Sequence, residues 1–233
     1  MRSIFITGTD TDVGKTFVSK LMLDALKKDY PRTLGFKPIA AGCEHSTNGL
    51  RNEDALTLQA ASTIDTDYNV INPIAFEPPI APHIAAATQQ VDLSVSVLSR
   101  HYKNACSLAP DILLTEGAGG WRLPLSANKH AEKREFLSDF VAHHKMQVVL
   151  VVGMRLGCLN HAVLTYEAIK KDGLTCVGWI ANRCVASMLN YEDNKQTLTK
   201  LLDAPLLAEV PYASNKNASC VSFNKTEYWS QVF

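Results

Sequence analysis

The chain has little of what several functional classes require. Its 23 lysines and arginines are matched by 23 aspartates and glutamates, so it carries no net formal charge. That balance argues against a strongly basic nucleic-acid binder and against an acidic tail protein. Long apolar runs are missing too: the longest extends only from Val148 to Met154, with Gly153 inside it. A bilayer span needs about 20 such residues, so no membrane partner is expected. Met1-Arg2-Ser3 leads straight into a strand-like stretch rather than the longer apolar segment of a signal peptide, which gives a cytoplasmic expectation. The 6 cysteines (Cys43, Cys106, Cys158, Cys176, Cys184 and Cys220) include no C-x-x-C pair. They read as reduced, packed thiols rather than a disulfide frame or a zinc site.

What is present is ordinary globular composition, 46% hydrophobic and 20% charged,. The length of 233 residues suits one sizeable domain, and the reading is a single domain over 1–233,. Short apolar runs alternate with segments of helical period. Strands are expected at Ser3 to Thr7, Thr33 to Lys37, Ile112 to Thr115, Gln147 to Val152, Thr175 to Ala181 and Leu206 to Val210. Helices are expected at Thr16 to Lys28, Asp54 to Ala61, Leu93 to Cys106, Phe136 to His144, Leu159 to Lys171 and Tyr191 to Leu202. The third strand is expected to end at Glu116, before a glycine turn at Gly117-Ala118-Gly119-Gly120. Residues 62 to 92 and the tail from Ser214 look least regular, being rich in Pro or in Asn and Ser. Strands apolar at every position, such as Val148 to Val152, must be covered on both faces. Alternating with helices, they predict a mostly parallel central sheet between two helical layers.

The most informative segment is Ile4-Phe5-Ile6-Thr7-Gly8-Thr9-Asp10-Thr11-Asp12-Val13-Gly14-Lys15-Thr16. A strand ends, a loop with two glycines follows, and Gly-Lys-Thr opens a helix. Free N–H groups at a helix start and in such a loop converge on an anion. Lys15 is placed to reach the β- and γ-phosphates of a nucleotide, and the Thr16 hydroxyl suits Mg²⁺. Five residues separate Gly8 from Gly14, one more than the usual spacing. The fold expectation is an α/β, three-layer, P-loop NTPase-like domain.

Other candidates follow from placement. Lys37 ends the second strand at the sheet edge where α/β ligands bind. Asp54, Glu116 and Thr16 offer three oxygens for a metal that keeps its waters. Gly157-Cys158-Leu159-Asn160 opens a helix after a buried strand and presents backbone donors to an anion. Locally, each has a plainer alternative: Asp54 as a helix-start carboxylate, Glu116 as a solvated turn, Lys37 as surface charge, and Gly157–Asn160 as an ordinary helix start. His83 and His161 read as structural.

A series of motifs in order resembles the dethiobiotin synthetase family over nearly the whole chain. It comprises Gly8-Thr9-Asp10-Thr11-Asp12-Val13-Gly14-Lys15-Thr16, Lys37-Pro38-Ile39-Ala40-Ala41-Gly42, Arg51-Asn52-Glu53-Asp54-Ala55 and Pro79-Ile80-Ala81-Pro82-His83. It continues with Glu116-Gly117-Ala118-Gly119-Gly120-Trp121, Gly157-Cys158-Leu159-Asn160-His161-Ala162, Gly178-Trp179-Ile180-Ala181-Asn182 and Ala204-Pro205-Leu206-Leu207.

The resemblance implies an ATP- and Mg²⁺-dependent ligase of biotin biosynthesis. Such an enzyme joins CO2 to 7,8-diaminopelargonate and closes the ureido ring through a carbamate and a carbamic–phosphoric anhydride. It implies Lys37, Lys15 and Thr11 as catalytic residues and Thr16, Asp54 and Glu116 as metal ligands. ATP contacts would come from Asp12, Val13, Gly14, Lys15, Thr16, Phe17, Glu116, Gly117, Ala118, Gly119, Asn182, Pro211 and Tyr212. Substrate contacts would come from Thr11, Lys37, Ala41, Gly157, Cys158 and Asn160, with the last three crossing a homodimer interface. Two positions depart from the family pattern: Ala41 replaces a Ser or Thr, and Arg183 follows Asn182 where Asp is frequent.

The rival is a regulatory ATPase of the partition or septum-positioning type. It would carry a further signature lysine where this loop has Thr9, Asp10 and Thr11. A metallochaperone GTPase would need N-K-x-D where the chain has Asn182-Arg183-Cys184-Val185.

Overall fold

A computed structural model describes residues 1–126, 134–212 and 223. Its strands are β1 (Arg2–Gly8), β2 (Thr33–Phe36), β3 (Ile39–Ala41), β4 (Glu44–Ser46), β5 (Gly49–Arg51), β6 (Ile74–Phe76), β7 (Ile112–Gly120), β8 (Gln147–Met154), β9 (Cys176–Arg183) and β10 (Leu206–Val210). Its helices are α1 (Lys15–Leu26), α2 (Glu53–Ala61), α3 (Tyr68–Ile71), α4 (Pro82–Gln89), α5 (Val95–Ser107), α6 (Leu137–His143), α7 (Cys158–Lys171) and α8 (Tyr191–Leu201).

Six strands form one sheet in the order β10-β9-β8-β1-β7-β2, and every pairing within it is parallel. β1 sits between β7 and β8, and β8 has the most continuous apolar sequence of the sheet. Val148 to Val152 are all 0% exposed, as expected of a strand covered on both faces. Helix faces complete the core at helical spacing: Leu98, Tyr102 and Ala105 of α5 are buried, and Ala162, Tyr166 and Ile169 of α7 likewise.

Two expectations are corrected. The segment 62–92 holds α3, β6 and α4. These elements, of four, three and eight residues, are too short to show a period, and Pro82 begins a helix rather than marking a loop. Asn72 fixes the region from inside, its amide donating to Lys37 O at 2.7 Å. The second correction concerns Gly117 to Gly120, which continue β7 rather than turning. A side chain at Gly117 would stand 2.8 Å from the Phe5 ring, so that glycine permits close approach.

The sequence reading did not foresee β3, which pairs with β6 in parallel, or the antiparallel β4–β5 hairpin. Five cysteines are free thiols, and Cys220 lies outside the described residues. So does the tail from Ser214, apart from Phe223, which bridges to Ala208. No helix among the described residues is long and apolar enough to cross a membrane.

Candidate active site

The loop after β1 wraps over the start of α1. Gly14 takes φ 85° as the α1 N-cap, and a Cβ there would stand 2.2 Å from Asn182 Nδ2. Only glycine satisfies both conditions. Asp12 also has positive φ, 57°, a conformation that aspartate tolerates better than most residues. Lys15 turns its ammonium back onto Asp10 O at 2.9 Å. Burial and the neighbouring Lys37 charge push the Lys15 pKa down, against the opposing pull of Glu116 and Asp54.

Lys37 stands where β2 gives out. Its backbone N–H donates to Ile71 O at 2.8 Å and its carbonyl accepts from Asn72, so the main chain is fixed on both sides. The ammonium lies 2.6 Å from Glu116 Oε1 and 3.0 Å from Asp54 Oδ2. Burial alone would lower its pKa, but the two carboxylates outweigh that and the net shift is upward. A lysine in this setting stays protonated and serves as fixed positive charge. Asp54 occupies the first turn of α2, behind the Asn52 cap. Burial raises its pKa, but Lys37, the Thr16 hydroxyl and Lys15 together bring it below the ordinary value.

Glu116 pairs with Ile6 in the middle of the sheet and is 0% exposed. Its Oε1 accepts from both Thr16 Oγ1 (2.8 Å) and Lys37 Nζ (2.6 Å). Oε2 is buried and has no hydrogen-bond partner among the described residues. A buried carboxylate oxygen is costly to leave unpaired, and beside Thr16 and Asp54 this one suits a hard cation. Among the described residues no cluster of three His, Cys, Asp or Glu side chains could hold a metal. Mg²⁺ needs only one or two carboxylates because it keeps several waters. The donor set therefore fits Mg²⁺.

These groups line one cleft of about 830 Å³. It brings together Thr11, Asp12, Gly14, Lys15, Thr16, Lys37, Ala41, Asp54 and Glu116 through Gly119. Of the other expected residues, Val13 is core beneath the loop, and Phe17 is half-buried against the core. Asn182 lies behind the loop, its amide donating to Val13 O at 2.7 Å. Pro211 and the exposed Tyr212 follow the end of β10, and Gly157 to Asn160 begin α7; none of these lines the cleft. Within that last segment Cys158 is buried, while Gly157 and Asn160 are exposed.

The sequence reading assigned no role to Ile39, Ala40, Leu123 or the Pro79-Ile80-Ala81-Pro82 wall, all of which line the cleft. The wall's one signal in the sequence was the pair of prolines around Ile80-Ala81; in the structure Ile80 is left 43% exposed. Arg183 stacks over Tyr191 at 3.8 Å, away from the cleft.

A phosphate loop between β1 and α1, at the C-terminal edge of a parallel sheet and beside a strand-borne carboxylate, defines a P-loop NTPase. The family described as "AAA domain" matches residues 2–218. Fold likeness points the same way. A ParA family ATPase from Chlorobium tepidum aligns at TM-score 0.54 and 14% identity, over 91% of this chain and 85% of that one. MinD of the Aquifex aeolicus MinC:MinD complex aligns at TM-score 0.52 and 15% identity, over 92% and 83%. Such identities show the fold alone.

Sequence relatives are more particular. The ATP-dependent dethiobiotin synthetase of Alteromonas mediterranea is 49% identical over 94% of this chain and 95% of its own length. That of Aeromonas salmonicida is 45% identical over 92% of each. The chain belongs to the ATP-dependent dethiobiotin synthetase family.

Proposed function

We propose that the chain is an ATP-dependent ligase that joins CO2 to 7,8-diaminopelargonate and closes the ureido ring of dethiobiotin, releasing ADP and phosphate. The observation that carries the reading is the Lys37 ammonium, buried between Glu116 and Asp54 at the floor of a phosphate-loop cleft, in a chain of that family.

The chemistry explains why such a site is needed. An amine of the substrate captures CO2 as a carbamate. The carbamate oxygen attacks the γ-phosphorus of ATP and ADP leaves, giving a carbamic–phosphoric anhydride. The second amine then attacks the carbonyl carbon, closes the ring and expels phosphate. Every species along this path is anionic, so fixed positive charge and positioning matter more than a protein nucleophile.

Lys37 and Lys15 supply that charge from two sides. Thr11 and Lys37 orient the amine end of the substrate, next to Ala41. Asp12 through Phe17 and Glu116 through Gly119 hold the nucleotide, with Asn182, Pro211 and Tyr212 on the base side. Thr16, Asp54 and Glu116 would hold Mg²⁺, whose charge would neutralise the triphosphate and withdraw electron density from the transferring phosphoryl group. The unpartnered Glu116 Oε2 supports that assignment.

The substrate's carboxylate lies a long aliphatic chain from its amines, so it needs a separate anchor. Gly157, Cys158 and Asn160 are assigned that role in the site of a second copy, which makes the working unit a homodimer. Leu156 beside them is 98% exposed, which supports cover by a partner. The reading is of one domain over 1–233, a cytoplasmic enzyme acting on small molecules, with neither nucleic acid nor membrane as partner.

The test is phosphate release from ATP with bicarbonate, with and without diaminopelargonate. Release that depends on the diamine is expected, and release indifferent to it overturns the reading.

A further inference from the structure

The short connection from β8 into α7, residues 155–157, reaches the phosphate loop as well as the anchor segment. Arg155 Nη2 lies 2.6 Å from Asp10 Oδ2. The other oxygen of the same carboxylate accepts the Thr11 backbone N–H at 2.8 Å. The Asp10 main-chain carbonyl accepts the Lys15 ammonium at 2.9 Å. One residue thus touches both Thr11 and Lys15, and one guanidinium holds that residue.

Two further bonds bind the same edge of the loop to β8. The Thr9 N–H donates to Val151 O at 3.0 Å, and the Gly153 N–H donates to Thr9 Oγ1 at 3.3 Å. Neither bond touches the Asp10 carboxylate, which is held by the Thr11 N–H on one oxygen and by Arg155 on the other. Charge-assisted hydrogen bonds from a guanidinium are directional as well as strong. Both partners are partly exposed, 39% for Arg155 and 48% for Asp10, so the pair adds little to global stability. Its effect is local.

We infer that Arg155 is a positioning residue for the phosphate loop: through Asp10 it sets Thr11 and Lys15, and it ties nucleotide binding to the connection that carries Gly157–Asn160. The link to the anchor segment rests on the function proposed above. The effect on the loop stands without it.

The experiment compares Arg155→Ala, Arg155→Lys, Asp10→Asn and the double variant Asp10→Asn/Arg155→Ala with the parent, all as full chains. ADP binding is measured by calorimetry with and without saturating diaminopelargonate, alongside kcat, KM for ATP and the unfolding midpoint. Arg155→Ala is expected to raise the ADP Kd and the KM for ATP about three- to ten-fold. Because Thr11 and Lys15 face the reacting groups, kcat should fall as well, by about two- to ten-fold, while the unfolding midpoint stays nearly unchanged.

Lysine should recover only part of the loss, being a point charge without the fork. The double variant should be no worse than either single one, because the two residues act as a unit. Whatever change diaminopelargonate makes to the parent's ADP affinity should shrink in Arg155→Ala. ADP affinity that is unchanged in both single variants, or losses that simply add, overturns the inference. A loss of affinity matched by an equal loss of stability also overturns it. Should Arg155→Ala fail to fold, Asp10→Asn carries the same comparison. A parent whose ADP affinity depends on Arg155 but whose phosphate release ignores the diamine overturns the proposed function and leaves the loop role standing.

Discussion

Lys37 and Glu116 form an ion pair sealed from solvent: 2.6 Å separates their charged atoms, and the side chains are 5% and 0% exposed. Removing either partner strips a buried group of its nearest counter-charge, a costly state even though Asp54 stays 3.0 Å from Lys37,. The pair is therefore a structural commitment as well as the centre of the proposed site.

Lys37→Ala is expected to lower turnover by about 100-fold or more, the scale for losing one preorganised charge at an anionic transition state. ADP affinity should stay within a few-fold, because the phosphate loop itself is untouched. Steady-state kinetics paired with direct ADP binding checks both halves. Turnover near the parent's would remove the role given to Lys37.

Asp54→Ala and Glu116→Ala are each expected to weaken Mn²⁺ binding by about ten-fold or more, a loss that even outer partners of metal sites produce. Electron paramagnetic resonance of free Mn²⁺ reads this without reference to activity. A Mg²⁺ titration of turnover should shift in parallel. An unchanged Mn²⁺ affinity would disqualify these carboxylates as ligands.

Mixing Asn160→Ala subunits with Lys15→Ala subunits tests whether sites are shared. If one copy supplies the phosphate loop and the other the anchor, each mixed dimer holds one intact site. Random mixing should then restore about a quarter of the parent activity. Verified mixed dimers without activity would show each site to be self-contained.

His144 gives a prediction about acid. It sits at the end of α6, its Nε2 2.9 Å from Ser99 Oγ and its ring 4.4 Å from that of Tyr102. Burial first, then the charges of His143 and Lys103, push its pKa down from 6.5 to about 4. Between those values the unfolded chain takes up a proton that the folded chain refuses. This contribution to stability is therefore complete above pH 6.5 and is lost as the pH falls toward about 4,. Urea midpoints should drop across that window in the parent and drop less in His144→Phe. Equal slopes in the two proteins would refute it.

The sheet was legible because its strands announce themselves. Val148 to Val152 can be neither a surface strand nor a helix this short, and the Gly-Lys-Thr after β1 fixed one end of the cleft. Lys37 and Glu116 were legible as residue types at strand ends, but their burial was not, since a lone charged residue in sequence is most often exposed. Pro79 to Pro82 were visible as a motif, but their place as a wall of the cleft stayed hidden for another reason. Its elements are too short for any period, and their place is set by tertiary bonds such as Asn72 to Lys37 O. Asn182 shows the limit of motif reading: its amide hydrogen-bonds the underside of the loop, a contact that strand spacing could not reveal.

β1 lies between β7 and β8, so the strand that leads into the phosphate loop is enclosed by two strands that come later in sequence. Both partners of β1 in the sheet come from far along the chain, Arg2 facing Ile112 and Ile4 facing Gln147. Contacts so distant in sequence are slow to form, so the segment bearing the phosphate loop is expected to gain its final backing late in refolding.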